Sequence, residues 1–336
     1  MNKLLQFLTV IALMNLAVLA YCQRVMNDPS KAASNTTWLQ RQADAGDIVI
    51  PDGVLYINKR IKLPAKIGFR VTSNSGRGTG YWYPHDNPSQ ISAKASRIHQ
   101  LTPGEPIFVM GGTGCVMDSL VLEGTGDQAL IEVEGKLSPV ATGHHRFSNM
   151  LFFNAETCFK ALGGYYNSSN QFVADENHAE MCDVNNCLAS NCKRMFLSQN
   201  QQAVWWTFRN IGMAWDTSQT PLQPITMFDI ERGGEVRADN VTTNCPQTTI
   251  FRVKDFSPNT CYVSCEHFFM DRMDIPSAYL TLITYAGPSQ DAHWQPWVFR
   301  FNGFVIQTLP ANLLYGGPVD WPRTHWSVDM QSVYSQ

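Results

Sequence analysis

Eight heptapeptides align without gaps along the chain: VMDSLVL (116–122), RFSNMLF (146–152), DVNNCLA (183–189), TFRNIGM (207–213), RADNVTT (237–243), SCEHFFM (264–270), RFNGFVI (300–306) and WSVDMQS (326–332). Their second and fifth residues are mostly apolar, as in Phe147/Met150, Val184/Cys187 and Phe208/Ile211, while first and third residues are mostly polar or charged. The fourth residues are Ser119, Asn149, Asn186, Asn210, Asn240, His267, Gly303 and Asp329. This is alternation of period two up to the fourth residue, then a corner, then another strand. A further β-rich run follows each of the first six: ALIEVEG, CFKALGG, RMFLSQN, MFDIERGG, IFRVKDF and YLTLITY.

Three short strands per turn, with turns stacked about 4.8 Å apart, make a parallel β-helix. Asn suits the corner because it tolerates left-handed backbone and its amide can pair with the residue one turn away. Asn149, Asn186, Asn210 and Asn240 are therefore expected to stack as an internal amide ladder. A β-sandwich has no need for a corner residue held in register through successive repeats. The segment 45–71 fits the same object, since short runs at 48–50, 54–57, 61–63 and 67–71 are cut by Pro51-Asp52-Gly53, Asn58-Lys59-Arg60 and Pro64-Ala65-Lys66.

Composition narrows the setting. Of 336 residues only 16% are charged, and the net charge is -3 with no basic cluster, so nucleic acid is not an expected partner. Residues 1–22 read as a secretory signal, with Lys3 before the apolar run Leu4 to Leu19 and small residues Val18 and Ala20 ahead of a cut at Ala20/Tyr21 or Cys22/Gln23. The mature protein is thus expected outside the cytoplasm, secreted or periplasmic, without a membrane span. The expected order is signal (1–22), N-terminal segment and cap (23–44), β-helix (45–320) and closing segment (321–336). Nine cysteines invite a disulfide reading. Register places Cys115, Cys182, Cys187 and Cys265 inward, which favours buried thiols, with Cys261/Cys265 or Cys187/Cys192 bridges as the alternative.

GDIVIPDGVLYINKRIKLP (46–64) resembles the opening coil of the pectate-lyase-like superfamily, where a similar G-x-x-x-x-I/L-P-x-G-x-Y-x-I run follows a short capping helix, here TWLQRQA (37–43). The resemblance covers roughly residues 38–320. It implies an all-β, right-handed single-stranded parallel β-helix with an N-terminal capping helix. For activity it implies less, because the superfamily includes lyases, glycoside hydrolases, epimerases and phage tailspikes. Tandem Asp-Asp, Gly-His-Gly, Trp-Ile-Asp-His and Arg-x-Pro-x-x-Arg signatures of its pectin-cleaving enzymes are missing.

Two outward columns carry candidate chemistry, since a solenoid binds along its length. Before the corner stand Arg146, Asp183, Arg237 and Arg300, with Arg209, Asp239 and Glu266 beside them and Trp205, Glu235 and Tyr262 two residues earlier. Aromatic faces next to Arg and carboxylates suit an acidic sugar chain. The alternative is a surface ion-pair ladder. The second column, on the later strand, holds Glu132 and Glu134, Lys160, Asp229 and Glu231, then Arg252 and Lys254. The family resemblance implies a cleft there, with Asp229 and Glu231 as acid groups or calcium ligands and Arg252 or Lys254 as base. Mutual neutralisation of these charges is the competing account.

His144 and His145 read as a surface and a core histidine, with His144 a secondary candidate for substrate contact or proton transfer. His178 falls in a loop. Excursions at 72–97 and 163–178, both rich in aromatic residues, either wall a cleft or fold down as flaps. The expected function is cleavage of an acidic, uronate-containing polysaccharide by β-elimination. Hydrolysis by the same fold and a non-catalytic glycan-binding or surface protein are the alternatives. Oligomeric state is not legible.

Overall fold

The computed structural model of the protein describes residues 25–73, 95–136, 141–175, 177–215, 223–254, 261–270, 278–285, 297–306, 312–314 and 326–335. The signal-like segment and most of the excursion at 72–97 lie outside them. The chain forms a right-handed parallel β-helix, with twenty strands in one continuous hydrogen-bonded system. The first coil is Ile48–Ile50, Gly53–Ile57 and Ile61–Leu63, which pair in parallel with Arg70–Ser73, Ser96–Gln100 and Phe108–Met110 of the next. From residue 146 onward the corners tighten, and Arg146–Ala161 and Asp183–Gln199 run unbroken around their bends.

The aligned heptapeptides are the rungs. Arg146 pairs with Val116 and Asp183, Thr207 with Asp183 and Arg237, and Ser264 with Arg237 and Arg300. Ser119, Asn149, Asn186, Asn210, Asn240, His267 and Gly303 all have φ between 51 and 67°. The last rung differs from expectation: Arg300 pairs with Asp329, so its heptapeptide is DMQSVYS and Ser332, not Asp329, stands opposite Gly303. Trp326–Ser335 therefore extends the stack as another strand.

The amide ladder also differs in place. Asn149 donates to Asp118 at 2.8 Å, Asn186 to Asn149 at 2.7 Å, Asn210 to Asn185 at 3.1 Å and Asn240 to Asn210 at 2.7 Å. Asn149 and Asn186 are half-buried and Asn210 and Asn240 exposed, so the ladder runs along an outer edge rather than inside. A left-handed corner turns its side chain away from the axis, and the interior is left to apolar groups. A second pair of corners, Asn154 (φ 52°) and Asn191 (φ 54°), takes the same left-handed backbone one bend later.

Inside, aromatic rings stack from rung to rung, Phe228 on Phe251 at 5.2 Å and Phe268 on Phe304 at 4.9 Å, and meet edge to face within a coil, Phe208 against Phe228 at 5.1 Å. The N-terminal end is closed by helix α1 (Ala32–Ala45), longer than the expected cap, which turns Leu39 and Ala43 onto the first coil. Gln40 and Asn35 side chains bond to main-chain groups of Lys62 and Tyr56, satisfying polar groups that the open end would otherwise leave unpaired. Cys115, Cys158, Cys182, Cys187, Cys192, Cys245 and Cys265 are buried and free, so neither proposed bridge forms. Burial raises Cys115 to about 11 and Cys187 to about 12, values that keep these thiols protonated and inert.

Candidate functional site

The two columns have opposite characters. In the later strand, register stacks Glu132, Lys160, Leu197, Asp229 and Arg252 on successive rungs. Asp229 faces away from the core yet is only 1% exposed. Arg252 Nη1 donates to both of its oxygens at 2.9 and 2.7 Å, and Arg194 Nε lies 2.9 Å from Oδ2. Arg194 also donates to Glu156 at 2.6 Å, and Lys193 lies 2.8 Å from the same carboxylate. Burial nevertheless holds the Asp229 carboxyl above its ordinary value, against the pull of Arg252 and Arg194. Glu231 accepts from Gln199 at 2.9 Å and stands 3.9 Å from Lys254.

This arrangement does not suit calcium, which takes six to eight oxygens. Both Asp229 oxygens are engaged by guanidinium nitrogens, and no three His, Cys, Asp or Glu side chains converge among the described residues. Nor does it present an open acid. Asp229 is the buried member of an ion-pair network that runs from Glu156 through Arg194 to Arg252 and links four rungs.

Glu132 and Glu134, expected on the surface, are 6 and 3% exposed. The cause is the hairpin Gly164–Tyr166 with Phe172–Ala174, which folds down over them. The Tyr166 N–H donates to Glu134 at 2.8 Å, its hydroxyl lies 3.4 Å from Glu132, and its carbonyl accepts from Lys62. Arg60 sits over the Tyr166 ring at 4.3 Å. This part of the 163–178 excursion is a flap. Burial raises the Glu132 carboxyl above its ordinary value, opposed by Lys160 and Arg60.

The strand before the corner is different, because its charged groups face solvent. Trp205 is 45% exposed at φ 57°, a conformation bulky residues rarely hold. The next residue, Trp206, is wholly buried and donates through Nε1 to the Ala179 carbonyl at 2.7 Å. Anchoring Trp206 inside throws the Trp205 ring outward. Register continues from Trp206 and Val236 to put Trp205 beside Glu235, which pairs with Tyr262 on the following rung. Arg237 donates to Glu235 at 2.6 Å and lies over the Tyr262 ring at 5.6 Å. The Arg237 side chain is 59% exposed. Arg209, Asp239 and Glu266 form the adjacent in-register row, and Arg209 is exposed.

Arg300 extends the Arg237 position past Ser264, half-buried. His144 is exposed at φ 55° on the rung of Arg146, two rungs before Thr207, so it stands apart from the Trp205 patch. His145 is buried, and its Nδ1 accepts the Cys115 N–H at 3.3 Å. His178 is paired with Glu180 at 3.1 Å.

Composition by column missed one pair. At the corner of this face His267 Nδ1 lies 2.7 Å from Asp239 Oδ1 on the preceding rung. That hydrogen bond, with Glu266 adding to it, raises the imidazole above its ordinary value. The signal was present in the alignment, as the one titratable ring in a column of amides.

No protein-family model and no curated protein matches the chain. Among solved structures, the tailspike protein of E. coli bacteriophage HK620 in complex with a pentasaccharide aligns with a TM-score of 0.57 at 12% identity, over 94% of this chain and 55% of that one. A mutant of that tailspike, also with a pentasaccharide, gives a TM-score of 0.57 at 12% identity, over 93% and 55%. This chain thus spans little more than half the length of the tailspike chain it matches. At such identity the likeness is one of architecture, the right-handed parallel β-helix.

Proposed function

We propose that this chain acts on an extracellular polysaccharide bearing acidic sugars, bound along the face of Trp205, Arg209, Glu235, Arg237 and Tyr262. The observation that carries the reading is the outward Trp205 ring, held at a positive φ beside an exposed Arg237 and Tyr262 on consecutive rungs. An aromatic platform supplies the apolar face of a sugar ring with a partner, and the guanidinium supplies its carboxylate with a charge. The pentasaccharide held by the tailspike of similar architecture supports a glycan partner, and the signal-like N-terminus supports export. Cleavage by β-elimination is the preferred chemistry, because exposed guanidiniums on this face can neutralise a uronate carboxylate and so acidify the adjacent carbon.

Hydrolysis is the second reading, favoured by one observation: Asp239 and Glu266 stand in register on neighbouring rungs. Rungs about 4.8 Å apart bring carboxylates near the ~5 Å separation of retaining glycosidases.

The test is product formation on neutral and uronate polysaccharides, following ultraviolet absorbance of unsaturated ends and total reducing ends together. Both rising would support the elimination, and reducing ends alone the hydrolysis. Trp205→Ala should weaken glycan binding about 10-fold, the loss of roughly 60 Å² of buried apolar contact at ~25 cal/mol per Å², by isothermal calorimetry. Binding without cleavage would leave a glycan-binding module, and absence of both would overturn the reading.

A further inference from the structure

The corner column changes character part-way along. At four successive rungs the corner is an Asn that donates back to an acceptor on the rung before: Asn149 to Asp118, Asn186 to Asn149, Asn210 to Asn185, Asn240 to Asn210. These amides are neutral and do not titrate. At the next rung the same place is filled by His267, whose Nδ1 lies 2.7 Å from Asp239 Oδ1. Asp239 can only accept when ionised, so the proton of the neutral ring stays on Nδ1. The basic lone pair is then on Nε2, at the free end of a side chain that is 65% exposed.

The rung after His267 is also unusual. Its corner is Gly303, at φ 67°, where an added Cβ would stand 3.1 Å from His267 Cδ2. The amide ladder therefore stops at the imidazole. The Cδ2 atom of the ring thus faces Gly303, and a larger residue there would crowd the imidazole. A neutral ladder that ends in an oriented imidazole and a glycine is a different device from the rungs beneath it.

We infer that His267 is the proton acceptor of this face, with Asp239 as the positioning residue that fixes its tautomer and Gly303 as the corner that leaves the ring uncrowded. The inference rests on the polysaccharide reading above and gives it a base. In the elimination, Nε2 takes the proton from the carbon next to the uronate carboxylate. The electrons of that C–H bond form the ring C=C bond, and the glycosidic C–O bond breaks. Its electron pair leaves on the oxygen, which takes a proton from water, and the imidazolium returns its proton to the hydroxide so formed. Arg209, exposed and in register one rung before Asp239, is a charge available to the uronate carboxylate. The groups facing the imidazole are Asp239 from the preceding strand, Glu266 on its own, and Asn302 with Gly303 on the following one. The two carboxylates keep the imidazolium stable to higher pH than usual, so the base form should develop above the ordinary histidine range.

His267→Asn is the decisive variant, because Asn already occupies this corner with the same backbone and the same backward hydrogen bond. On a polysaccharide that the wild-type chain cleaves, it should lose about 10²-fold or more in kcat, as loss of a general base does, while binding of the same polymer stays within threefold. The alkaline-rising limb of the wild-type pH profile should vanish with it. Turnover retained within threefold, or an unchanged limb, would overturn the inference. Asp239→Asn gives a second readout, since loss of its charge should move that limb to lower pH. Nitrogen-15 NMR of the imidazole requires no substrate: Nε2–H as the neutral tautomer would overturn the inference, and Nδ1–H would support it. If the wild-type chain binds a polysaccharide but cleaves none, the base fails and the binding reading stands. If it binds none, both fail.

Discussion

An asparagine at a corner answers two demands at once, and Asn210 shows how to separate them. Its φ of 51° is costly for an ordinary L-residue, and its amide donates to Asn185 while accepting from Asn240. Alanine would lose both benefits, for about 2–3 kcal/mol: roughly 1–2 for left-handed backbone and about 1 for two exposed hydrogen bonds. Glycine would lose the bonds but keep the backbone, so Asn210→Gly should be about 1 kcal/mol milder than Asn210→Ala in urea unfolding. Equal losses would mean that the corner is held by the amides alone.

His145 carries a pH prediction. Burial, with His144 nearby, depresses its imidazole to about 3. The unfolded chain binds a proton at its ordinary value near 6.5, so between there and about pH 3 unfolding takes up a proton. The folded state is thus fully favoured above pH 6.5 and loses stability as pH falls toward 3, by up to roughly 5 kcal/mol from this residue alone. His145→Gln should flatten the acid limb of Tm against pH. A limb of unchanged steepness would assign the acid sensitivity elsewhere.

Among elements, the hairpin Gly164–Tyr166 with Phe172–Ala174 changes the character of a column without changing its register. Alternation alone turns Glu132 and Glu134 outward, and the structure agrees. What alternation does not carry is whether another element lies on top. Asp229 was likewise legible as outward, but its burial under Arg194 and Arg252 depends on side chains from rungs 23 and 35 residues away in sequence. Trp205 was legible as outward in the same way, and it stays exposed because no described element covers it, while Tyr262 is half-buried. Removing the flap's anchor tests this view. Tyr166→Ala forfeits the cation–π contact with Arg60 and the cover over Glu132, and should cost about 1–2 kcal/mol. Hydrogen exchange should quicken at 157–161 and 129–133, under the hairpin. Unchanged protection there would show that main-chain contacts alone seal the carboxylates.

At the scale of the whole molecule, the coil architecture was legible because each rung solves the same problem with the same residue types. Seven heptapeptides fell into register on apolar residues inside and Asn, Ser, His or Gly at the bend. The eighth slipped by three residues because WSVD and DMQS alternate equally well, and the pairing of Arg300 with Asp329 decides between them. The same repetition shapes stability, since each coil touches only its neighbours. Phe228 is buried between Phe208, edge-on across its own coil, and Phe251, stacked on the next rung. Phe228→Ala should cost about 3–5 kcal/mol by leaving a cavity that rigid neighbouring strands close poorly. In a nearest-neighbour solenoid the loss of hydrogen-exchange protection should centre on 194–199, 225–232 and 247–253 and fade along the axis. The first coil, held by α1 and by Leu39 and Ala43 beneath it, should keep its protection. If protection instead fell evenly from Ile48 to the last strand, the β-helix would unfold as one cooperative body. The open face around Trp205 and His267 could not then loosen independently of the coils that hold it.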